Sequence, residues 1–293
     1  MPRIPVAALA LLALSASGPA VAQSFPALPD SSVTAPDTTA VVQQGGGLPP
    51  QTIVARPRLL ERRDALIAAG FGLGAMALFP LDREIARQMQ SPAAQSNRAL
   101  ENAATTLEKI TSPGAYFIGG GMYLAGRLAG VPRLADLGLH ATESMVLAEG
   151  IGFVLKRSIG RARPYMSDAA DHRDFAFGTG FGTGDRRSLP SGHTYTAFAV
   201  ASAVTSELRD WWPRSTWLVA PVMYGGATMV GLSRMYHNQH WASDIALGAA
   251  VGTLSGLTLV RFMHQNDDAA HGRLRGSPVV RRSQDGTQVG WQF

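Results

Sequence analysis

Long apolar stretches, separated by short charged or glycine- and proline-marked segments, dominate the chain from residue 65 to residue 260. Ala65 to Leu81 runs without a charge, is rich in Gly and Ala, and is ended by Pro80, which predicts either a short membrane helix or a buried one. Asn97 to Ile110 reads as an amphipathic helix, with Leu100, Ala103, Ala104 and Leu107 on one face and Glu101, Glu108 and Lys109 off it. Ser112 to Gly126 is apolar around Gly119, Gly120 and Gly121, small residues that let helices approach closely, and Arg127 follows. After a break at Gly130-Val131-Pro132, Leu137 to Leu155 forms the next helix. It carries Glu143 and Glu149, and Glu149 stands two turns before Lys156 on the same face. Both are read first as exposed or salt-bridged glutamates and second as groups that position the basic residues beyond them. Lys156 to Ser188 is mostly loop, with seven Lys or Arg and four Asp; loops of this length are more often functional than connecting. Three further apolar helices are expected at Gly192 to Glu207, Thr216 to Leu232 and Ile245 to Val260.

The pattern predicts an all-α bundle of about six or seven helices, with chemistry at the helix ends nearest Lys156, Pro190 and Arg234. The apolar spans are roughly fifteen to nineteen residues, at the lower edge of what crosses a bilayer, and the bundle is expected to be membrane-embedded. At 46% hydrophobic and 16% charged residues the chain is poorer in charge than ordinary soluble domains. It contains no cysteine, so neither a disulfide framework nor a thiolate metal site is available. The net charge of +5 comes without interleaved aromatics or regular basic spacing, which argues against nucleic acid as a partner.

Arg3, the apolar run Val6 to Leu14 and the small residues ending Ala20-Val21-Ala22 have the layout of a cleavable export signal, with a signal anchor as the alternative. The expected organisation is a signal peptide at 1–22, a flexible Pro-, Ser-, Thr-, Gln- and Gly-rich leader at 23–60, the helical domain at 61–263 and a polar, basic tail at 264–293.

Within that frame, Pro190-Ser191-Gly192-His193 opens a helix, where free backbone N–H groups favour an anion. Lys156, Arg163 and Arg234 bracket it with three cations, and Arg matches phosphate oxygens in forks. His240 and Asp244 are four apart; on a helix they would share a face, the carboxylate holding one imidazole nitrogen and leaving the other to attack. His193, in the first turn of another helix, is the candidate general acid and base. Taken singly each residue has a duller reading: Asp244 as a helix cap, Arg234 as a dipole partner, His193 as a core histidine. Tyr236 and Trp241 read as packing and His237 has no assigned role, nor do His140, His172, His264 and His271.

Lys156 with six residues before Arg163-Pro164, then Pro190-Ser191-Gly192-His193, then Ser233-Arg234 with five residues before His240 and three more before Asp244, resembles the type 2 phosphatidic acid phosphatase and vanadium haloperoxidase superfamily. All three motifs stand in order, and the resemblance extends over Ala65 to Val260. It implies a helical bundle, a phosphohistidine intermediate on His240 without a metal, proton transfer by His193, orientation of His240 by Asp244, and phosphate held by Lys156, Arg163, Ser191, Gly192 and Arg234. No cofactor is implied, and vanadate is expected to inhibit. The expected function is hydrolysis of a phosphomonoester or diphosphate on a lipid such as phosphatidate or a polyprenyl diphosphate, at an inner membrane with the site facing the periplasm. The alternatives are a soluble periplasmic acid phosphatase of broad specificity and a haloperoxidase using vanadate as cofactor.

Overall fold

The computed structural model describes residues 53–54, 59–166, 171–182, 184–270, 278–283 and 286–291. The expected signal peptide, most of the leader and His271 lie outside them. Two compact units divide the chain, Arg58–Arg273 and a second built from Met1–Pro57 with Leu274–Phe293.

The larger unit is all-α. Its helices are α1 (Arg62–Leu78), α2 (Asp82–Met89), α3 (Arg98–Lys109), α4 (Ala115–Ala129), α5 (Pro132–Ile159), α6 (Gly192–Trp211), α7 (Thr216–Tyr236) and α8 (Ala242–Ala270). Apart from α2, which continues α1 after a short turn at Phe79–Leu81, each matches a helix predicted from the apolar pattern: α1 and α4 are shifted by about three residues, α3 is shorter by one residue at each end, and α5 to α8 are extended. The largest extension is at α8, which runs past the expected domain end at residue 263 to Ala270.

Local chemistry sets the ends. Glu61 and Asp64 form a capping box at the start of α1, the Glu61 N–H donating to Asp64 Oδ2 at 2.7 Å. Asp64 is itself buried and paired with Arg261 at 2.6 and 2.7 Å, which ties α1 to α8. Pro132 stands at the start of α5, where its missing N–H costs nothing, and Gly160 ends that helix at φ 63°, in the left-handed region.

Helix α6 is central, packing against α5, α7 and α8, while α4 lies on α5, α3 on α7 and α1 on α8. Contact is close because the facing residues are small. A Cβ placed on Gly252 of α8 would stand 2.2 Å from the Tyr195 carbonyl of α6, and one on Gly256 would stand 2.6 Å from that of Ala199. Of the triple glycine in α4, Gly119 faces α5, where a Cβ would meet Thr142 Oγ1 at 2.4 Å; Gly120 and Gly121 face open space. Small residues such as Ala148, Ala199, Ala201, Ala203 and Ser202 fill the interior, while Leu66, Leu73, Met76, Phe117, Leu124, Leu128, Val154, Trp217 and Val222 stand outside. Arg62–Met89 and Ala242–Asn266 are long and apolar enough to cross a membrane.

In the smaller unit, β2 (Pro278–Ser283) pairs antiparallel with β3 (Gly286–Trp291) and with the two-residue β1 (Ile53–Val54). Strand structure in the polar tail was not expected from its sequence.

Candidate active site

Four helix ends meet at one end of the bundle: the last turns of α5 and α7, carrying Lys156 and Arg234, and the first turns of α6 and α8, carrying His193 and Asp244. Arg163 reaches in from the loop after α5, and His240 from the short link between α7 and α8. The eight sequence-predicted site residues therefore gather in one region.

His240 is buried, and its Nδ1 lies 2.7 Å from the Ser188 carbonyl oxygen. A carbonyl can only accept, so Nδ1 carries the proton and Nε2 keeps its lone pair. This differs from the expected arrangement. His240 precedes the helix, so it does not stack over Asp244 by helical spacing; Asp244 Oδ2 is 3.7 Å from Nδ1, too far for a hydrogen bond. Asp244 acts on the imidazole through its charge, and its oxygens are engaged elsewhere. Oδ1 accepts from Arg161 at 2.5 Å; Oδ2 accepts from Ser188 Oγ at 2.5 Å and from the Trp241 N–H at 3.0 Å. Asp244 thus holds Ser188, whose carbonyl holds His240.

Arg161 is the main residue that the motif spacing passed over. It is 1% exposed, and its guanidinium bridges Asp244 and Asp82, reaching Asp82 Oδ2 at 2.7 Å and Ser243 Oγ at 2.8 Å. Asp82, at the start of α2, also accepts from the Ser243 N–H at 2.8 Å. The His172 carbonyl accepts from Arg161, and Phe79, Phe175 and Trp241 surround the guanidinium. Sequence offered one signal for Arg161, its place among the basic residues of a long loop. Ser188 and Asp82 offered none.

The cations are set by different means. Lys156 Nζ passes over Gly192, 2.8 Å from where a Cβ would stand, so a side chain at 192 would displace it. Arg163 Nη1 donates to Gln239 Oε1 at 2.6 Å, and its Nε to the Gly184 carbonyl at 3.2 Å. Burial lowers the Arg163 pKa from the usual guanidinium value, and the like charge of Arg234 acts the same way. Arg234 is paired with Glu108 of α3, which also meets His237 Nδ1 at 2.6 Å; His237 thereby gains a place, as a neighbour of the anion-site arginine. Arg234 Nε is buried without a hydrogen-bond partner, a donor left for a ligand.

Ser191 needs a correction. Its N–H donates to the Asp244 backbone carbonyl at 3.1 Å, and its Oγ accepts from Thr194 Oγ1 at 2.9 Å, so that N–H is not available to an anion. Gly192, as the first residue of α6, keeps the position of an unsatisfied helix-start donor. Trp241 and Tyr236 are buried packing residues, as expected, and Trp241 also donates from Nε1 to the Ala162 carbonyl at 3.0 Å. Glu149 is exposed, with its charge felt at Lys156.

Burial is the largest influence on His240, and the charges of Arg163 and Lys156 add to it against the opposing pull of Asp244; the imidazole is pushed down to about 3. It is therefore neutral throughout the physiological range, within reach of the charges of Arg163 and Lys156.

Residues 137–268 match the family model described as the PAP2 superfamily. Over 120 residues it is 36% identical to a lipid A 1-phosphatase of Porphyromonas gingivalis, an alignment that covers 38% of this chain and 22% of the length of that relative. Among solved structures, LpxE of Aquifex aeolicus aligns with 62% of this chain and 95% of its own, at 18% identity and a TM-score of 0.45. A transmembrane PAP2-type phosphatidylglycerolphosphate phosphatase of Bacillus subtilis aligns with 65% and 96%, at 22% identity and a TM-score of 0.36.

Proposed function

We propose that the protein is a lipid phosphatase that removes a phosphate monoester or cleaves a diphosphate through a phosphohistidine on His240. The observation that carries this reading is the His240 tautomer: Nδ1–H is engaged by the Ser188 carbonyl, so the basic nitrogen is Nε2, in a space shared by Lys156, Arg163 and Arg234.

The steps follow from that arrangement. The three cations and the Gly192 N–H take the phosphoryl oxygens, whose developing charge they stabilise. His193, which burial and the Arg234 charge push down to about 4, takes up a proton as the phosphate enters; His240 Nε2 attacks phosphorus, the P–O bond to the leaving group breaks, and His193 delivers that proton to the departing alkoxide. His193, now neutral, takes a proton from water as that water attacks the phosphohistidine, releasing inorganic phosphate and restoring both histidines. In the first step His240 becomes cationic, and the Asp244 charge at 3.7 Å stabilises it as it forms.

A lipid substrate and a membrane setting are supported by the side chains around the bundle. Small residues inside and large aliphatic and aromatic residues outside, Leu128 at 88% exposed and Trp217 at 77% among them, suit a lipid surround and not water. This favours the membrane reading over a soluble acid phosphatase. The relative's name makes a phosphorylated glycolipid a substrate class to test beside phosphatidate and polyprenyl diphosphate. We place the site on the periplasmic side, in agreement with the export-type N-terminus.

The test is phosphate release in detergent with EDTA present, from a phosphorylated glycolipid, phosphatidate, polyprenyl diphosphate and p-nitrophenyl phosphate. Wild type is expected to prefer a lipid, to be inhibited by vanadate and to lose activity in His240→Ala. Alkaline detergent quench of a reaction with radiolabelled substrate should trap base-stable, acid-labile label in His193→Ala. Undiminished turnover by His240→Ala overturns the mechanism; peroxide-driven halide oxidation dependent on vanadate would point to the haloperoxidase alternative.

A further inference from the structure

At the other end of the bundle stands a second group of ionisable side chains that the phosphate site does not use. From His193 to Glu207, at 1.5 Å per residue, α6 rises about 21 Å, so the two groups lie at opposite ends of the same helix. Glu207 is 1% exposed. His140 of α5 approaches it with Nδ1 at 2.5 Å from Oε1, and His264 of α8 with Nε2 at 3.0 Å from Oε1 and 3.2 Å from Oε2. The ligand atoms of His140, Glu207 and His264 all lie within 4.8 Å of one another.

We propose that His140, Glu207 and His264 form a binding site for a divalent transition metal, zinc being the best match, that clamps α5, α6 and α8 together. The donor set is two imidazole nitrogens and one carboxylate, a combination characteristic of zinc with a fourth position for water or another ligand. Three observations support it. Glu207 is a buried carboxylate whose partners are two imidazoles, so the positive charge it requires comes from protons on those rings or from a cation between them. The second nitrogen of His264, Nδ1, is 3.3 Å from Asp210 Oδ2. Nε2 faces the Glu207 carboxylate and carries a proton that a metal would displace; the Nδ1 proton, directed at Asp210, then leaves Nε2 as a lone-pair donor, the arrangement by which carboxylates orient metal-binding histidines. Glu143, one helical turn from His140, has a carboxylate oxygen buried without a hydrogen-bond partner. A cation would relieve that group too.

The spacings specify what binding must do. Ligands about 2.0–2.1 Å from zinc at tetrahedral angles stand about 3.3 Å apart. The His264 to Glu207 distances are near that value, while the His140 contact at 2.5 Å must open by somewhat less than 1 Å. His264, with its side chain 33% exposed, is the edge through which the ion enters.

The experiment uses full-length protein purified in detergent without a histidine tag, stripped with EDTA, dialysed, and titrated with zinc alone. Wild type is expected to bind one zinc per chain with micromolar or tighter affinity, to show the intense visible bands of tetrahedral coordination when cobalt(II) replaces zinc, and to unfold later when zinc is added. Glu207→Gln and His264→Ala are expected to lose stoichiometric binding, and Asp210→Asn, which leaves all three ligands in place, to weaken it about 10- to 100-fold. His240→Ala should bind zinc as wild type does, separating this site from the phosphate site. Failure of wild type to bind stoichiometric zinc, or undiminished binding by Glu207→Gln and His264→Ala, overturns the proposal and leaves a proton-linked histidine–glutamate network.

Discussion

Replacing Arg161 by Met should damage the protein more than replacing any of the three cations assigned to phosphate. The guanidinium lies between Asp82 and Asp244, both 0% exposed, at 2.7 and 2.5 Å. Met has similar bulk but no charge, so two carboxylates would remain buried beside each other without a counterion. Removing one partner of a buried pair typically costs about 3–5 kcal/mol, against a total folding stability of roughly 5–15 kcal/mol. Arg161→Met should therefore shift equilibrium unfolding in mixed micelles by about that amount, with Trp241 fluorescence as a local reporter, since its ring centroid lies 5.4 Å from the guanidinium carbon. Arg161→Lys should fall between, keeping the charge but losing the fork that spans both acids. Arg161→Met combined with Asp82→Asn should be less destabilised than the sum of the two changes, with a coupling of about 0.5–3 kcal/mol. If Arg161→Met unfolds within about 1 kcal/mol of wild type, or if the double variant is additive, the idea that Arg161 compensates a buried acid pair fails.

Other consequences can be checked alongside it. Arg234→Ala should lower kcat/KM about 10²- to 10³-fold and weaken vanadate inhibition, as expected for a donor that stabilises transition-state charge, and should also cost stability by leaving Glu108 without its arginine; unaltered vanadate affinity would remove Arg234 from the phosphate site. His240 is held near 3 in the folded protein and titrates near 6.5 when unfolded, so the unfolded chain binds the extra proton between those values. Its contribution to stability is complete above about pH 6.5 and is lost on acidification, by up to about 1.4 kcal/mol per pH unit. Unfolding measured from pH 7 to pH 4 should fall more steeply for wild type than for His240→Gln, and parallel curves would show that the imidazole is not buried neutral. Gly252→Ala should destabilise by about 1–3 kcal/mol, because its Cβ would meet backbone of α6. Gly225→Ala, where a Cβ meets nothing within 4 Å, should be neutral or stabilising by about 0.5–1 kcal/mol. Equal behaviour of the two would argue against close packing of α6 on α8.

What sequence revealed and what it concealed follow from the range of the interactions. Helices α1 and α3 to α8 could be read because apolar periodicity, Pro132 and Gly160 act within a few residues. The site could be read as three motifs because each is a helix end whose residues arrive together: Lys156 with Arg163, Gly192 with His193, Arg234 with His240. The support beneath it could not. Asp82 meets Ser243 across 161 positions of sequence, and Ser188 meets His240 across 52, without any local pattern to suggest either contact. The spacing of His240 and Asp244 pointed to a direct helical pair, but the helix begins at Ala242, and Ser188 bonds each of them, the imidazole through its carbonyl and the carboxylate through its hydroxyl.

That substitution changes what Asp244 is for. If the carboxylate bonded the imidazole directly, Asp244→Asn would be expected chiefly to alter the tautomer of His240 and leave the fold alone. Here the Ser188 carbonyl fixes the tautomer, and a main-chain acceptor survives any side-chain change. Asp244→Asn should instead disturb Arg161, which loses an anionic partner at 2.5 Å, and Ser188 Oγ, whose acceptor becomes an amide. The predicted outcome is a combined loss: lower stability through the uncompensated arginine, and lower kcat because the imidazolium formed on attack loses its nearby negative charge. Ser188→Ala separates the two effects. It keeps the carbonyl that holds Nδ1 and the Asp244 charge, and removes only the hydroxyl that ties them together. Nearly normal kcat for Ser188→Ala beside a large deficit for Asp244→Asn is the result expected if the charge of Asp244 acts at 3.7 Å; equal deficits would mean that Asp244 works through placement of residue 188 alone.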